Sequence, residues 1–314
     1  MGPYGHVLAL LRVAVEYLAV RPEGTYVDCT VGAGGHSAEI AHRLTTGWLL
    51  AMDRDPQALE LAGRRLAEFG EKVKLVHAHF QHLGETMRQH GAAPADGLLA
   101  DLGLSQMQLD DPRRGFSFAA EGPLDMRMDP AQPLTAAEIV NRTGERELAE
   151  LIYQFGEERR SRKIARAIVR ARPLRSTKQL AEVIQAASGP SRHGRIHPAT
   201  RTFQALRIVV NNELEQLQSM LASLPSSGLF RPGARIVIIS FHSLEDRIVK
   251  HSFRQWQAEG FARILTKHVV RPSHDEIRAN LRTRSARLRA AEISGNRHLC
   301  SPPLQKGRRN LLTS

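Results

Sequence analysis

Apolar residues fall into two patterns along the chain. In the first third they form short blocks: Tyr26 to Val31, Trp48 to Met52, Val73 to Phe80 and Ala95 to Leu102. Blocks of this length, bounded by glycine, proline or a carboxylate, predict buried strands. Between them the spacing is helical. Residues 7–20 place Leu8, Leu11, Val15 and Leu18 on one stripe, and a second helix is predicted from near Ser37 to about Leu44. Asp55 and Pro56 open a third as cap and first-turn proline. Strand and helix alternating at this interval predict a doubly wound, mostly parallel α/β sheet.

The blocks then stop. Thr135 to Glu138 reads as a capping box, and helices are predicted over Glu145–Phe155, Glu157–Arg170, Thr177–Ala187 and about Ala199–Leu224. A strand returns at Arg235–Ile239, and Ile264–Val270 and Ala286–Ile293 could supply two more. The expectation is one sheet domain from residues 1–112 and 213–293, interrupted by an all-helical insertion over 113–212. Residues 294–314, with paired prolines and Lys306, Arg308 and Arg309, are expected to be a mobile basic tail.

Charge changes this picture. Lys and Arg exceed Asp and Glu by 44 − 32 = 12, and the pI is about 10.4, which points to a polyanionic partner, nucleic acid before membrane surface. Aromatic residues are only 5%, which disfavours a single-strand binder built on rows of stacking rings. Cys29 and Cys300 stand apart, so neither a disulfide framework nor a zinc site is indicated, and no ligand cluster has metal spacing. The apolar start is broken by Arg12 and Glu16, and no run is long enough to span a bilayer. A cytoplasmic, reduced protein is expected.

The candidate chemistry begins at Gly32-Ala-Gly-Gly35, a glycine-rich turn directly after the first strand. Glycine lets backbone come close to a ligand, and Asp53 follows 21 residues after Gly32, at the end of the second strand. A carboxylate there can accept both ribose hydroxyls of an adenosine, which suits NAD and S-adenosylmethionine about equally. Ser37 in place of a third glycine leans against NAD, and Asp28 inside the first strand leans towards a methyltransferase. Asp101 ends the fourth strand beside the topological switch, where open α/β sheets bind ligands.

Further motifs follow in order: Asp101-Leu-Gly-Leu-Ser-Gln-Met-Gln108, Gly115-Phe-Ser-Phe118, Gly122 to Asp129, Gly156-Glu-Glu-Arg159, His197 to Arg207 and Ser240 to Arg247. Together they resemble the RsmH/MraW family over roughly residues 6–293. The resemblance implies a Rossmann-like class I methyltransferase fold and transfer of a methyl group from S-adenosylmethionine to a cytidine N4 in small-subunit (16S-type) ribosomal RNA, at the decoding centre. It implies that Gly34, Gly35 and His36 contact the methionine end of the cofactor. Asp53 would hold the ribose, Phe80 would pack on adenine, and Asp101 and Gln108 would complete the pocket. The partner implied is that RNA, free or in the assembled subunit, with a homodimer open and no membrane.

The chain departs from the usual family pattern at Gln106 and Met107, at Val13 and at Leu281. A cytosine amine is a weak nucleophile because its lone pair is delocalised into the ring. It needs acceptors that orient its N–H groups, for which Asp101 and Ser105 are the candidates, and most of the rate should come from positioning. On the long helix Thr200, Gln204, Arg207 and Asn211 share a polar face, opposite Phe203, Leu206 and Val210. Arg192, His193, Arg195 and Arg201 nearby suit phosphate contacts. His242 could contact the target nucleotide or cap the following helix. The alternatives are an NAD-dependent oxidoreductase and a non-catalytic protein of ribosome assembly.

Overall fold

The computed structural model describes residues 8–189 and 197–295. A short amphipathic helix, α1 (Leu11–Leu18), leads into β1 (Thr25–Asp28), α2 (Gly35–Ala41), β2 (Trp48–Asp53) and α3 (Pro56–Leu66). β3 (Val73–His77), α4 (Leu83–Gln89), β4 (Ala95–Asp101) and the short α5 (Gln106–Asp110) follow. Next come five helices: α6 (Ala136–Arg142), α7 (Glu145–Gly156), α8 (Ser161–Ala171), α9 (Thr177–Ser188) and α10 (Ala199–Asn211). The chain ends its described part with α11 (Glu213–Ser227), β5 (Phe230–Ser240), α12 (Ser243–Ala258), β6 (Ala262–Ile264), α13 (His274–Ala279) and β7 (Arg287–Ile293).

The seven strands form one sheet in the order β3-β2-β1-β4-β5-β7-β6. Strands β1 to β5 run parallel, and β7 pairs antiparallel with both β5 and β6. Helices cover both faces, which is why the strands read as unbroken apolar blocks: Leu98, Leu99 and Ala100 are all fully buried. α11 and α12 pack on one face, through Leu221, Phe253 and Trp256, and α1 to α3 on the other, through Leu18, Ile40 and Ala62. Side chains from Phe116 to Val210 form a separate core in which Ile152, Ile164, Leu180 and Leu206 meet. Among the described residues no helix is long and apolar enough to cross a membrane.

Several boundaries differ from the sequence expectation. α2 begins at Gly35 rather than Ser37, and Phe80 lies past β3 in a single helical turn, Phe80–His82. Glu157 takes a left-handed conformation (φ 49°), so α8 starts only at Ser161. Its carboxylate is occupied by Ser243 and Arg247 of α12. The long helix expected over 199–224 is broken at Asn212 (φ 49°), where α10 hands over to α11; asparagine tolerates this conformation better than most residues. Of the strand expected over 264–270, only Ile264 lies within a strand, and Val270 makes an isolated bridge to Leu288. The basic tail residues Lys306, Arg308 and Arg309, and Arg192, His193 and Arg195, lie outside the described residues.

Candidate active site

Strand order reverses between β1 and β4, and the turns that follow these two strands wall a cleft of about 580 Å³. That is ample for a nucleoside-sized ligand. The first wall is built from Asp28, whose Oδ1 accepts from Thr30 N at 3.0 Å and whose Oδ2 accepts from Ser37 Oγ at 2.7 Å. The acid thus ties the end of β1 to the first turn of α2, and burial raises its pKa to about 6. Gly32 (φ 50°) and Gly34 (φ 79°) carry the chain between them. The Gly32 N–H donates to Asp53 Oδ2 at 2.9 Å, while Asp53 Oδ1 accepts from Asp55 N at 2.9 Å. Asp53 therefore fastens the glycine turn to the end of β2 and still offers a lone pair on each oxygen to the cleft.

The glycines are not equivalent. Gly35 lines the cleft with Gly32 and Ala33, and a Cβ on it would fall 2.0 Å from Leu8 Cδ1. Gly34 instead faces α3, where a Cβ would lie 3.3 Å from Leu66, so it shapes the turn without lining the cleft. Phe80 and Ala78 supply an apolar side of the cleft, with the Phe80 ring also packed into the core.

The opposite wall begins at Asp101. Its N–H donates to Thr30 Oγ1 at 2.7 Å, which registers the end of β4 on the turn after β1. His36 Nδ1 lies 3.5 Å from Asp101 Oδ2. Burial lowers the His36 pKa to about 4, so the imidazole is neutral at neutral pH and the contact carries no ion-pair energy. Burial pushes Asp101 well up, with the Asp28 and Glu245 carboxylates adding to it. Asp101 Oδ1 and His36 Nε2 are buried without a hydrogen-bond partner. A buried carboxylate oxygen left unpaired is costly, and here it belongs to a residue that lines the cleft, which marks a place for a cation or an N–H donor.

The turn after Asp101 is rigidly pinned. Ser105 caps α5: its N–H donates to Gln108 Oε1 at 3.0 Å and its Oγ accepts from Gln108 N at 3.3 Å. Gln108 Nε2 then donates to Asp55 Oδ2 at 2.7 Å, an oxygen that Arg114 also meets at 2.9 Å. Gln108 lines the cleft, yet both ends of its amide are committed to protein, which makes it a cross-brace between the turns after β2 and β4. Gln106 and Met107, the departures from the family pattern, sit within this intact capping box.

Of the residues expected to bind substrate, the structure brings one to the cleft. Arg207 lines it and makes a two-pronged ion pair with Glu213, at 2.8 and 2.7 Å. The others are directed elsewhere. Arg201 donates to Glu157 O, and Gln204 Nε2 donates to Phe155 O at 3.0 Å. Asn211 is buried, donating to Met126 O and accepting from Met128 N, both at 2.7 Å. His242 caps α12, its Nδ1 accepting from Glu245 N at 3.4 Å, and does not line the cleft. Gln204 and Asn211 are thus spent on protein partners, whereas the Arg201 side chain stays 52% exposed and His242 takes the capping role, one of its two expected readings. Helical period shows which residues share a face, not what that face meets.

Sequence reasoning missed Arg54, Glu213 and Glu245, all lining the cleft. The His242-x-x-Glu245 spacing was a signal for the last of these, since an acid at the third helical position completes a capping box. Glu213, His242 and Glu245 offer ligand atoms within 4.8 Å of one another. The Glu213 carboxylate is already clasped by Arg207, and Glu245 Oε2 accepts from Phe241 N at 2.9 Å, while His242 Nε2 lies 3.2 Å from Glu245 Oε1.

Sheet topology and cleft position would suit a dinucleotide or S-adenosylmethionine; comparison with known proteins decides between them. The chain is a Rossmann-like, S-adenosylmethionine-dependent methyltransferase. More narrowly, it belongs to the MraW methylase family, whose family model matches residues 3–294. It is 55% identical over 299 residues to the ribosomal RNA small subunit methyltransferase H of Koribacter versatilis, covering 92% of this chain and 94% of that one. The protein of the same name from Acidobacterium capsulatum is 53% identical over 292 residues, with 91% and 98% covered. Among solved structures, an rRNA methylase from Streptococcus thermophilus aligns over 92% of this chain and 98% of its own, at a TM-score of 0.42 and 13% identity.

Proposed function

We propose that this chain transfers a methyl group from S-adenosylmethionine to the exocyclic N4 of a cytidine in small-subunit ribosomal RNA, at the decoding centre. Relatives more than 50% identical along nearly their whole length carry the small-subunit rRNA methyltransferase name, which supports the substrate class. The observation that carries the site is Asp101 Oδ1, buried without a partner at the switch-point end of β4 and within one cleft with Asp53 and Arg207. The residues present fit the cofactor: an acid with spare lone pairs at Asp53, an apolar wall at Phe80, and a turn at Gly32, Ala33 and Gly35 with little side-chain bulk.

Bound there, the cofactor supplies an activated methyl group on a good leaving group. Asp53 accepts from the ribose hydroxyls, Phe80 packs on the adenine, and the backbone at Gly35 with His36 meets the methionine end. Asp101 would ionise more readily beside the positive charge of a bound cofactor. The Asp101 carboxylate then accepts an N–H of the target amine, and Ser105 Oγ is a second acceptor. This holds the nitrogen lone pair towards the methyl carbon without prior deprotonation. After transfer the nitrogen releases its extra proton to the Asp101 carboxylate. Arg207, held in place by Glu213, faces the base end of the cleft, and the target base must leave any stack to reach it.

The test is incubation of purified protein with methyl-labelled cofactor and undermodified small subunits, followed by nucleoside analysis. Label on cytosine N4 is expected. No transfer, with the cofactor shown to bind, would remove the catalytic reading and leave the non-catalytic assembly protein in its place.

A further inference from the structure

A second feature lies away from the cleft. Residues 159–178 contain nine basic side chains and no acidic one, in a chain whose whole net charge is +12. Most of them belong to α8 and its approach. Ile164, Ala165 and Ile168 bury one side of α8 in the insertion core, while Arg162, Lys163, Arg166 and Arg170 are exposed on the other, as is Arg159 just before it. Arg175 and Lys178 extend the exposed series towards α9.

An ordinary solvated helix face mixes both signs, as the neighbouring α7 does with Glu145, Arg146, Glu147 and Glu150. α8 does not. Arg162 and Arg166, and Arg166 and Arg170, stand four residues apart, a spacing at which like charges repel. Arg162 and Lys163 occupy the first turn, where the helix dipole disfavours cations, and no acid is present there. Among the described residues only Arg166 of the exposed series on α8 has an acidic partner, Glu145 at 3.3 Å. Arg159, Arg162, Lys163 and Arg170 have no ion pair among the described residues. The helix thus carries a local electrostatic cost that the Arg166–Glu145 pair and the Glu158 carboxylate on Arg160 N offset only in part. An eleven-residue helix presents this stripe over roughly 16 Å.

We propose that the exposed face of α8 is a docking surface for the phosphate backbone of the substrate RNA, outside the target nucleotide. The inference rests on the small-subunit rRNA reading and extends it: the cleft selects the nucleotide, and α8 holds the flanking backbone. Phosphate contacts of this kind fix register and orientation and carry no sequence information. Their signature is salt dependence, because each neutralised phosphate releases counterions.

The test compares wild type with a triple variant, Arg162→Gln, Lys163→Gln and Arg170→Gln. Glutamine preserves helix propensity, and a thermal melt checks the fold. Filter binding measures affinity for protein-free small-subunit rRNA and for intact subunits across a salt series. The variant should bind RNA at least about tenfold more weakly at 0.15 M salt, and the slope of log affinity against log salt should shrink by about 2, roughly 0.7 per contact. Cofactor affinity should not change. An unchanged slope would overturn the proposal, as would an equal loss in a control carrying Arg43→Gln, Arg64→Gln and Arg88→Gln. Weaker binding to intact subunits with normal binding to protein-free rRNA would place a ribosomal protein against α8 and also overturn it. These readouts need no turnover. Failure of methyl transfer would count against the catalytic reading alone.

Discussion

Replacing Gln108 by Leu separates two roles that the position could have. In the structure its amide oxygen accepts from Ser105 N and its amide nitrogen donates to Asp55 Oδ2. Leucine keeps most of the volume and removes both bonds. Losing a hydrogen bond to a buried charged group costs about 2 kcal/mol here, because Arg114 still serves Asp55. Leaving the half-buried Ser105 N–H to water or to nothing costs about 1 kcal/mol more. The sum, about 3 kcal/mol, should appear in urea unfolding without any cofactor, as a lower midpoint at constant slope. Cofactor affinity should fall as a consequence, since the 103–110 turn loses its brace. If stability without cofactor is unchanged while cofactor affinity drops, Gln108 meets the ligand directly and the brace is wrong.

Two further outcomes follow from the same geometry. Asn211→Ala leaves Met128 N and Met126 O without partners and should cost about 3 kcal/mol, against about 1 for Gln204→Ala, whose bond to Phe155 O is less buried; a variant of normal stability with a raised KM for RNA would return Asn211 to substrate binding. His36 has its folded pKa depressed to about 4, below the unfolded 6.5, so its neutral form stabilises the fold above 6.5 and that contribution is lost as pH falls through this window. Asp28, raised by burial to about 6, works in the opposite sense, its contribution being lost as pH rises from 3.8. The difference in unfolding free energy between wild type and His36→Asn cancels the Asp28 part, and it should shift by about 2 kcal/mol against wild type between pH 7 and 4.5. Parallel curves for the two proteins would contradict the burial argument.

The sheet was legible because helices cover both faces, so strands such as Ala95–Asp101 read as apolar blocks with a carboxylate at the tip. Capping at Asp55 and Thr135 was legible too, since both motifs are local. What escaped the sequence depends on partners far along the chain. The break at Glu157 goes with its bonds to Ser243 and Arg247, 86 and 90 residues on. Asn211, just before the kink at Asn212, reaches back 85 residues to Met126. Likewise the polar stripe of α10 was visible, but not that Gln204 would be spent on α7 and Asn211 on the 126–128 segment. The basic run at 159–170 was plain in the sequence, whereas its having a single ion pair among the described residues, Arg166 with Glu145, needed the fold.

Asp101 serves its ligand and not the fold. Its Oδ1 has no protein partner, and burial beside Asp28 and Glu245 makes its charge costly to the fold. Calorimetric titration of S-adenosylmethionine into Asp101→Ala tests this directly, with unfolding measured on the same samples. Affinity should fall by at least about tenfold, because the cationic cofactor loses the charge of the Asp101 carboxylate, with no loss of unfolding free energy. Unchanged affinity would contradict it.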